Sequence, residues 1–139
     1  MFQFMLRLVI LNYQRPENVK KIVFSLWKLF PRITVINNNP NYSLPYWGGD
    51  IDVINNNQNY FCMERWIRCF EYPEEYKLII DDDILPSPKL IKNMLKSNLP
   101  ITGIYGKRGV NTSERYDQLE DVWSEGEVDF LVGSIVLVK

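Results

Sequence analysis

Three consecutive aspartates, Asp81, Asp82 and Asp83, interrupt an apolar stretch, LIIDDDILPSP, at positions 78–88. Adjacent carboxylates repel, and holding them together costs stability unless a cation offsets the charge. Hard divalent cations prefer carboxylate oxygen, so the run is a candidate site for Mg²⁺ or Mn²⁺. One short turn supplies only part of a coordination shell, and water and a substrate diphosphate would supply the rest. Two simpler readings stand beside this one. Acidic residues favour the first turn of a helix, but Ser87 and Pro88 already provide an N-cap and a first-turn residue a few positions on. A solvated charge run is the other, although a strongly apolar segment leads directly into the aspartates.

Other polar clusters share this placement at the end of an apolar run. NYQR (12–15) contains Arg15, which could grip a phosphate oxygen, and Tyr13, which could stack on a base. A solvated arginine in a helix-start turn is the simpler alternative. The chain also says nearly the same thing twice, as VINNNPNY (35–42) and VINNNQNY (53–60). An amide both donates and accepts, so Asn37, Asn38 and Asn39, or Asn55, Asn56, Asn57 and Asn59, could read the edge of a pyrimidine. Asparagine also tolerates left-handed geometry and makes Asx-turns, which would explain each triplet without a ligand. Lys107 and Arg108 could face diphosphate charge or simply be solvated.

Composition narrows the function classes. Hydrophobic residues make up 46% and charged residues 24%, which places the chain among globular proteins. A net charge of −1 leaves no electrostatic footprint for nucleic acid. No apolar run is long enough to cross a bilayer, and Arg7 breaks the opening MFQFMLRLVIL, which lacks a small-residue cleavage site. A cytoplasmic location is expected. The absence of histidine removes His-based metal sites, nucleophile triads and imidazole bases. Cys62 and Cys69, placed on one helix, lie too far apart for a disulfide. Neither a P-loop nor a GxGxxG turn is present.

These residues need elements to position them. FMLRLVILN (4–12) reads as a buried strand. Pro16 then opens a helix with Val19, Ile22, Val23, Leu26, Leu29 and Phe30 on one face, stopped by Pro31. RITVI (32–36) and IDVI (51–54) are further strands, separated by a loop rich in turn residues. Met63, Trp66, Ile67 and Phe70 have the spacing of a second helix, and YKLII (76–80) is a fourth strand. Ser87 and Pro88 open a third helix with Ile91, Met94 and Leu95 facing in. PITGIYG (100–106) and VDFLVGSIVLV (128–138) close the pattern as strands, with a polar irregular stretch between them. Strands alternating with helices imply one domain built on a mostly parallel α/β sheet with helices on both faces. The polar clusters after strands one to four would then meet at the carboxyl edge, where open α/β sheets bind ligands.

Taken together, the strand ending in NYQRP, the strand ending in VINNN and the segment CMERWIRCFEYPEEYKLIIDDDI resemble glycosyltransferases of the GT-A fold, a Rossmann-like nucleotide-diphospho-sugar transferase architecture. The likeness is greatest to the exostosin-like transferases of family 64 and to small GT-A domains of large algal viruses. It covers nearly the whole chain and includes ITGIYGKR and VDFLVGS. The resemblance implies metal-dependent transfer of a sugar from a UDP-sugar to a hydroxyl of a glycan or other acceptor. Asp83 would ligate Mn²⁺ or Mg²⁺ at the diphosphate, with Asp81 and Asp82 holding the ribose or supporting the metal. The nucleotide contacts would come from Asn12, Tyr13, Arg15, Asn37, Asn38, Asn59 and Arg65. Asp129, Glu127 or Glu125 would approach the acceptor hydroxyl or the anomeric carbon. GT-A domains are usually longer, with a C-terminal stretch that often supplies a histidine ligand. The chain is therefore expected to be a minimal transferase or one module of a larger enzyme. Two rival classes are a non-catalytic nucleotide-sugar binding module and an aspartate-based phosphatase or phosphoreceiver. Of the two asparagine runs the first is expected to face the nucleotide, so that Asn38→Ala weakens uridine binding more than Asn56→Ala.

Overall fold

β1 (Leu6–Asn12) is buried almost throughout and forms the centre of a six-stranded sheet. The structure, a computed structural model, describes residues 5–104 and 135–139. β2 (Arg32–Asn37) and β3 (Ile51–Asn55) extend the sheet on one side of β1; β4 (Tyr76–Asp81), β6 (Ile135–Val138) and β5 (Ile101–Ile104) extend it on the other. The order is β3-β2-β1-β4-β6-β5. β1, β2, β3 and β4 pair in parallel, and β6 runs antiparallel to both of its neighbours. The mostly parallel α/β sheet expected from the alternation of elements is thus present, with one reversed strand inside it.

Helices cover both faces. α1 (Pro16–Leu26) buries Val19, Ile22, Val23 and Leu26, and α3 (Pro88–Leu95) buries Ile91 and Met94. Both pack on the face carrying Leu8, Ile10, Ile33, Val35, Leu78 and Ile80. Ser87 caps α3, its hydroxyl accepting from the Leu90 N–H at 3.2 Å. Pro16 occupies the first turn of α1, where a missing N–H costs nothing.

α2 (Met63–Glu71) crosses the opposite face, where Cys69 and Trp66 pack with Val9, Ile36 and Ile79. The apolar stripe that marks this helix in the sequence is not the side that packs. Met63, Ile67 and Phe70 are exposed, Phe70 by 84%. Residues two apart on a helix point about 200° from one another. With Arg65 and Cys69 turned to the sheet, Met63 and Ile67 must turn away. The buried Cys69 thiol is pushed up to about 11 by its apolar surroundings, while Cys62 is exposed and both are free.

At the amino edge of the same face, Arg7 is only 5% exposed. Its Nε and Nη2 donate to the two Glu74 carboxylate oxygens at 2.9 and 2.8 Å. Its Nη1 donates to Thr34 Oγ1 and Asp52 Oδ2. The guanidinium carbon lies 3.9 Å from the centroid of the Tyr72 ring. Burial alone would raise the Glu74 carboxyl, but the hydrogen bonds and charge of Arg7 outweigh it and hold the group below the usual range.

Candidate functional site at the carboxyl edge

The asparagine echo has a structural cause. β2 and β3 pair so that Val35 meets Val53, Ile36 meets Ile54 and Asn37 meets Asn55, while Asn12 of β1 meets Asn37. In-register parallel strands stack identical side chains, and each amide can donate to one neighbour and accept from the other. Asn12 Nδ2 donates to Asn37 Oδ1 at 2.9 Å, and Asn37 Nδ2 donates to Asn55 Oδ1 at 3.0 Å. Asn55 closes the row on the backbone of Leu44, accepting from its N–H and donating to its carbonyl. On the other face of the sheet, Asn56 Nδ2 donates to Asn38 Oδ1 at 2.7 Å. The two runs are therefore neighbouring rungs rather than independent turns.

This amide row fixes the turn after β1. The Tyr13 carbonyl accepts from Asn39 Nδ2 at 2.7 Å and from the Tyr42 hydroxyl at 2.9 Å. Its N–H donates to Asp82 Oδ2 at 3.1 Å. Asp82 is buried, and its second oxygen accepts from Arg15 Nη1 at 2.9 Å. Asp83, by contrast, is exposed and lies 3.4 Å from the same Arg15 nitrogen. Asp81 pairs with Arg65, which reaches it from the first turn of α2. Hydrogen bonding to Asp82, together with the charges of Asp82 and Asp83, raises the Arg15 pKa, so this guanidinium stays charged.

A cavity of about 450 Å³ opens at this edge, walled by Asp81, Asp82 and Asp83 on one side and by Asn38, Asn59, Phe61 and Cys62 on another. Tyr13, Arg15 and Leu11 complete it. Seven of the sequence-derived candidates thus share one cavity. Asn12 and Asn37 do not line it; both are fully buried in the amide row behind it. Asn38 is 1% exposed and its amide is already committed, to Asn56 on one side and to the Phe61 carbonyl on the other. Arg65 acts on the cavity through Asp81. Asp129, Glu127 and Glu125, together with Lys107 and Arg108, lie outside the described residues. A larger cavity of about 560 Å³ lies at the opposite edge, between α1 and β3, with mainly aromatic and aliphatic walls such as Trp27 and Trp47.

Sequence reasoning overlooked Tyr42 and Phe61. Tyr42 belongs to the repeated run, so the repetition itself was its signal. Phe61 had none: it is the one non-glycine with positive φ among the described residues, at 56°. That conformation costs an L-residue about 1–2 kcal/mol.

Among the described residues no three acidic or thiol groups converge in a preformed metal cage. Magnesium and manganese do not require one. They are commonly held by one or two carboxylates, with substrate phosphate and water completing the shell. The exposed Asp83, with Asp81 beside it, fits that donor set. In comparisons with known proteins, the chain matches no family model and no curated protein.

Proposed function

We propose that the protein is a metal-dependent glycosyltransferase of the GT-A kind, moving a sugar from a UDP-sugar to an acceptor hydroxyl. The observation that carries this reading is the gathering of Asp81, Asp83, Arg15 and Tyr13, from two different strand ends, around one cavity at the carboxyl edge of a mostly parallel sheet. Two arginines face three aspartates there, leaving one net negative charge. A nucleoside diphosphate adds more negative charge and needs a cation to enter. Asp83 and Asp81 would hold that cation, which when bound offsets charge on the departing diphosphate. Arg15, half-exposed, would turn toward a phosphate oxygen, and the exposed Tyr13 ring would lie against the base. Asp82 serves differently. Its oxygens are spent on Tyr13 and Arg15, so it braces the turn rather than meeting the ligand.

Calorimetric titration of UDP in Mn²⁺ and then in EDTA tests the reading. Metal-dependent binding that disappears in Asp83→Ala, with the fold intact, is expected. Release of UDP from one of several UDP-sugars would then distinguish a transferase from a binding module. Absence of any metal-dependent UDP binding would sink the proposal.

A further inference from the structure

Phe61 carries backbone strain that no packing offsets. Its φ of 56° is unfavourable for any side chain with a Cβ, and its ring is 73% exposed. Exposed strained residues persist only where their surroundings impose the conformation. Here the surroundings are asparagines. The Phe61 N–H donates to Asn59 Oδ1 at 2.8 Å. Its carbonyl accepts from Asn38 Nδ2 at 2.8 Å, and Asn38 is locked in turn by Asn56 Nδ2 at 2.7 Å. Both runs of the asparagine echo thus contribute to holding one aromatic residue, through Asn38 from the first and Asn56 and Asn59 from the second. That residue lines the cavity opposite the aspartates, whereas the exposed apolar side chains of α2, Met63, Ile67 and Phe70, do not.

We infer that Phe61 is a ring platform for the flat face of the ligand's base, and that Asn38, Asn56 and Asn59 are positioning residues that hold it in place. The inference rests on the nucleotide-sugar reading of the same cavity. An aromatic face suits a base because stacking needs no particular hydrogen-bond pattern, and the Asn38 amide is no longer available to supply one. Tyr13 and Phe61 would then contact the base while Arg15 and Asp83 serve the diphosphate end.

The test compares UDP affinity in Mn²⁺ and melting temperature for the natural protein, Phe61→Gly, Phe61→Tyr and Asn56→Ala. Phe61→Gly should weaken UDP binding about tenfold, within the range for loss of one base–aromatic stack. It should also raise the melting temperature, because glycine adopts positive φ without strain. Phe61→Tyr should retain affinity, and Asn56→Ala should weaken it in the same direction as Phe61→Gly. Unchanged UDP affinity in Phe61→Gly overturns the inference and points the ring toward a protein partner instead. A lower melting temperature accompanying the lost affinity also overturns it, since Phe61 would then be a packing residue. Failure of the natural protein to bind UDP removes both this inference and the function it rests on; binding that is indifferent to Phe61 removes only this one.

Discussion

Two arginine–carboxylate clusters lie at opposite ends of the sheet face that α2 covers, and they are built to different rules. At the amino edge, all three Arg7 nitrogens are paired, to Glu74, Thr34 and Asp52, and the guanidinium lies over Tyr72. Arg7 and Glu74 are both buried there, and neither lines either cavity. At the carboxyl edge, Arg65 uses Nη1 on Asp81 and buries Nε without a partner, Arg15 is half-exposed, and Asp83 faces water. Closed pairing is what a buried charge needs to be tolerated at all. Incomplete pairing beside a cavity is the condition for exchanging a protein contact for a ligand contact.

The largest expected effect comes from breaking the closed cluster. Arg7→Met should cost about 3–5 kcal/mol in urea unfolding, because it strands the buried Glu74 carboxylate. Arg15→Met removes one of the two partners of the buried Asp82 and leaves the Tyr13 N–H in place, so it should cost less in urea than Arg7→Met while weakening UDP binding; equal losses of stability in both would erase the distinction. Asp83→Ala comes next. It should lower metal-dependent UDP affinity by at least the roughly 10–100-fold typical of residues that merely support a metal ligand, with an unaltered melting curve.

A third effect concerns the rungs. Asn38 Nδ2 holds the Phe61 carbonyl directly and Asn56 acts on it only through Asn38, so both alanine variants should weaken UDP binding, Asn38→Ala the more. The double variant should fall short of additivity by about 0.5–3 kcal/mol, as for residues in contact. Full additivity would show that the two runs act separately.

A smaller effect separates the clusters by pH. The Glu74 carboxyl titrates below its unfolded value. Its contribution is therefore complete above the ordinary carboxylate range and is lost as pH falls through the lowered folded value. Glu74→Gln should be less stable at neutral pH and show a flatter acid limb in a urea series. The smallest expectation is chemical. A thiol reagent at neutral pH should label Cys62 and spare Cys69, whose burial keeps it protonated to about 11. Equal labelling would mean that α2 does not stay seated over the face both clusters share.

Much of this was legible in the chain. Pro16, Ser87 and Pro88 mark helix starts through backbone chemistry that acts locally, and apolar runs mark strands through side-chain period. The placement of NYQR, NNN and DDD after successive strands was enough to locate the carboxyl edge as the place to look. The inward side of α2 was not legible, because Met63, Ile67 and Phe70 carry a normal amphipathic stripe. Its orientation depends on Arg65 meeting Asp81, a partner on another element.

The sequence by itself determined which segments became strands and helices and which strand ends are polar, since those choices depend on neighbours within a turn or a pleat. Tertiary structure alone decided how each polar group is used. Asn12 and Asn37 became a buried row, Asn38 and Asn56 a brace for Phe61, and Asp82 a tie to Tyr13 rather than a ligand group. Arg7, which in the sequence only interrupts an apolar run, became the centre of a closed ionic cluster. The physical reason is the same in each case. A buried polar atom must find a partner, and here the partners come from strands and turns remote along the chain, brought together by parallel register.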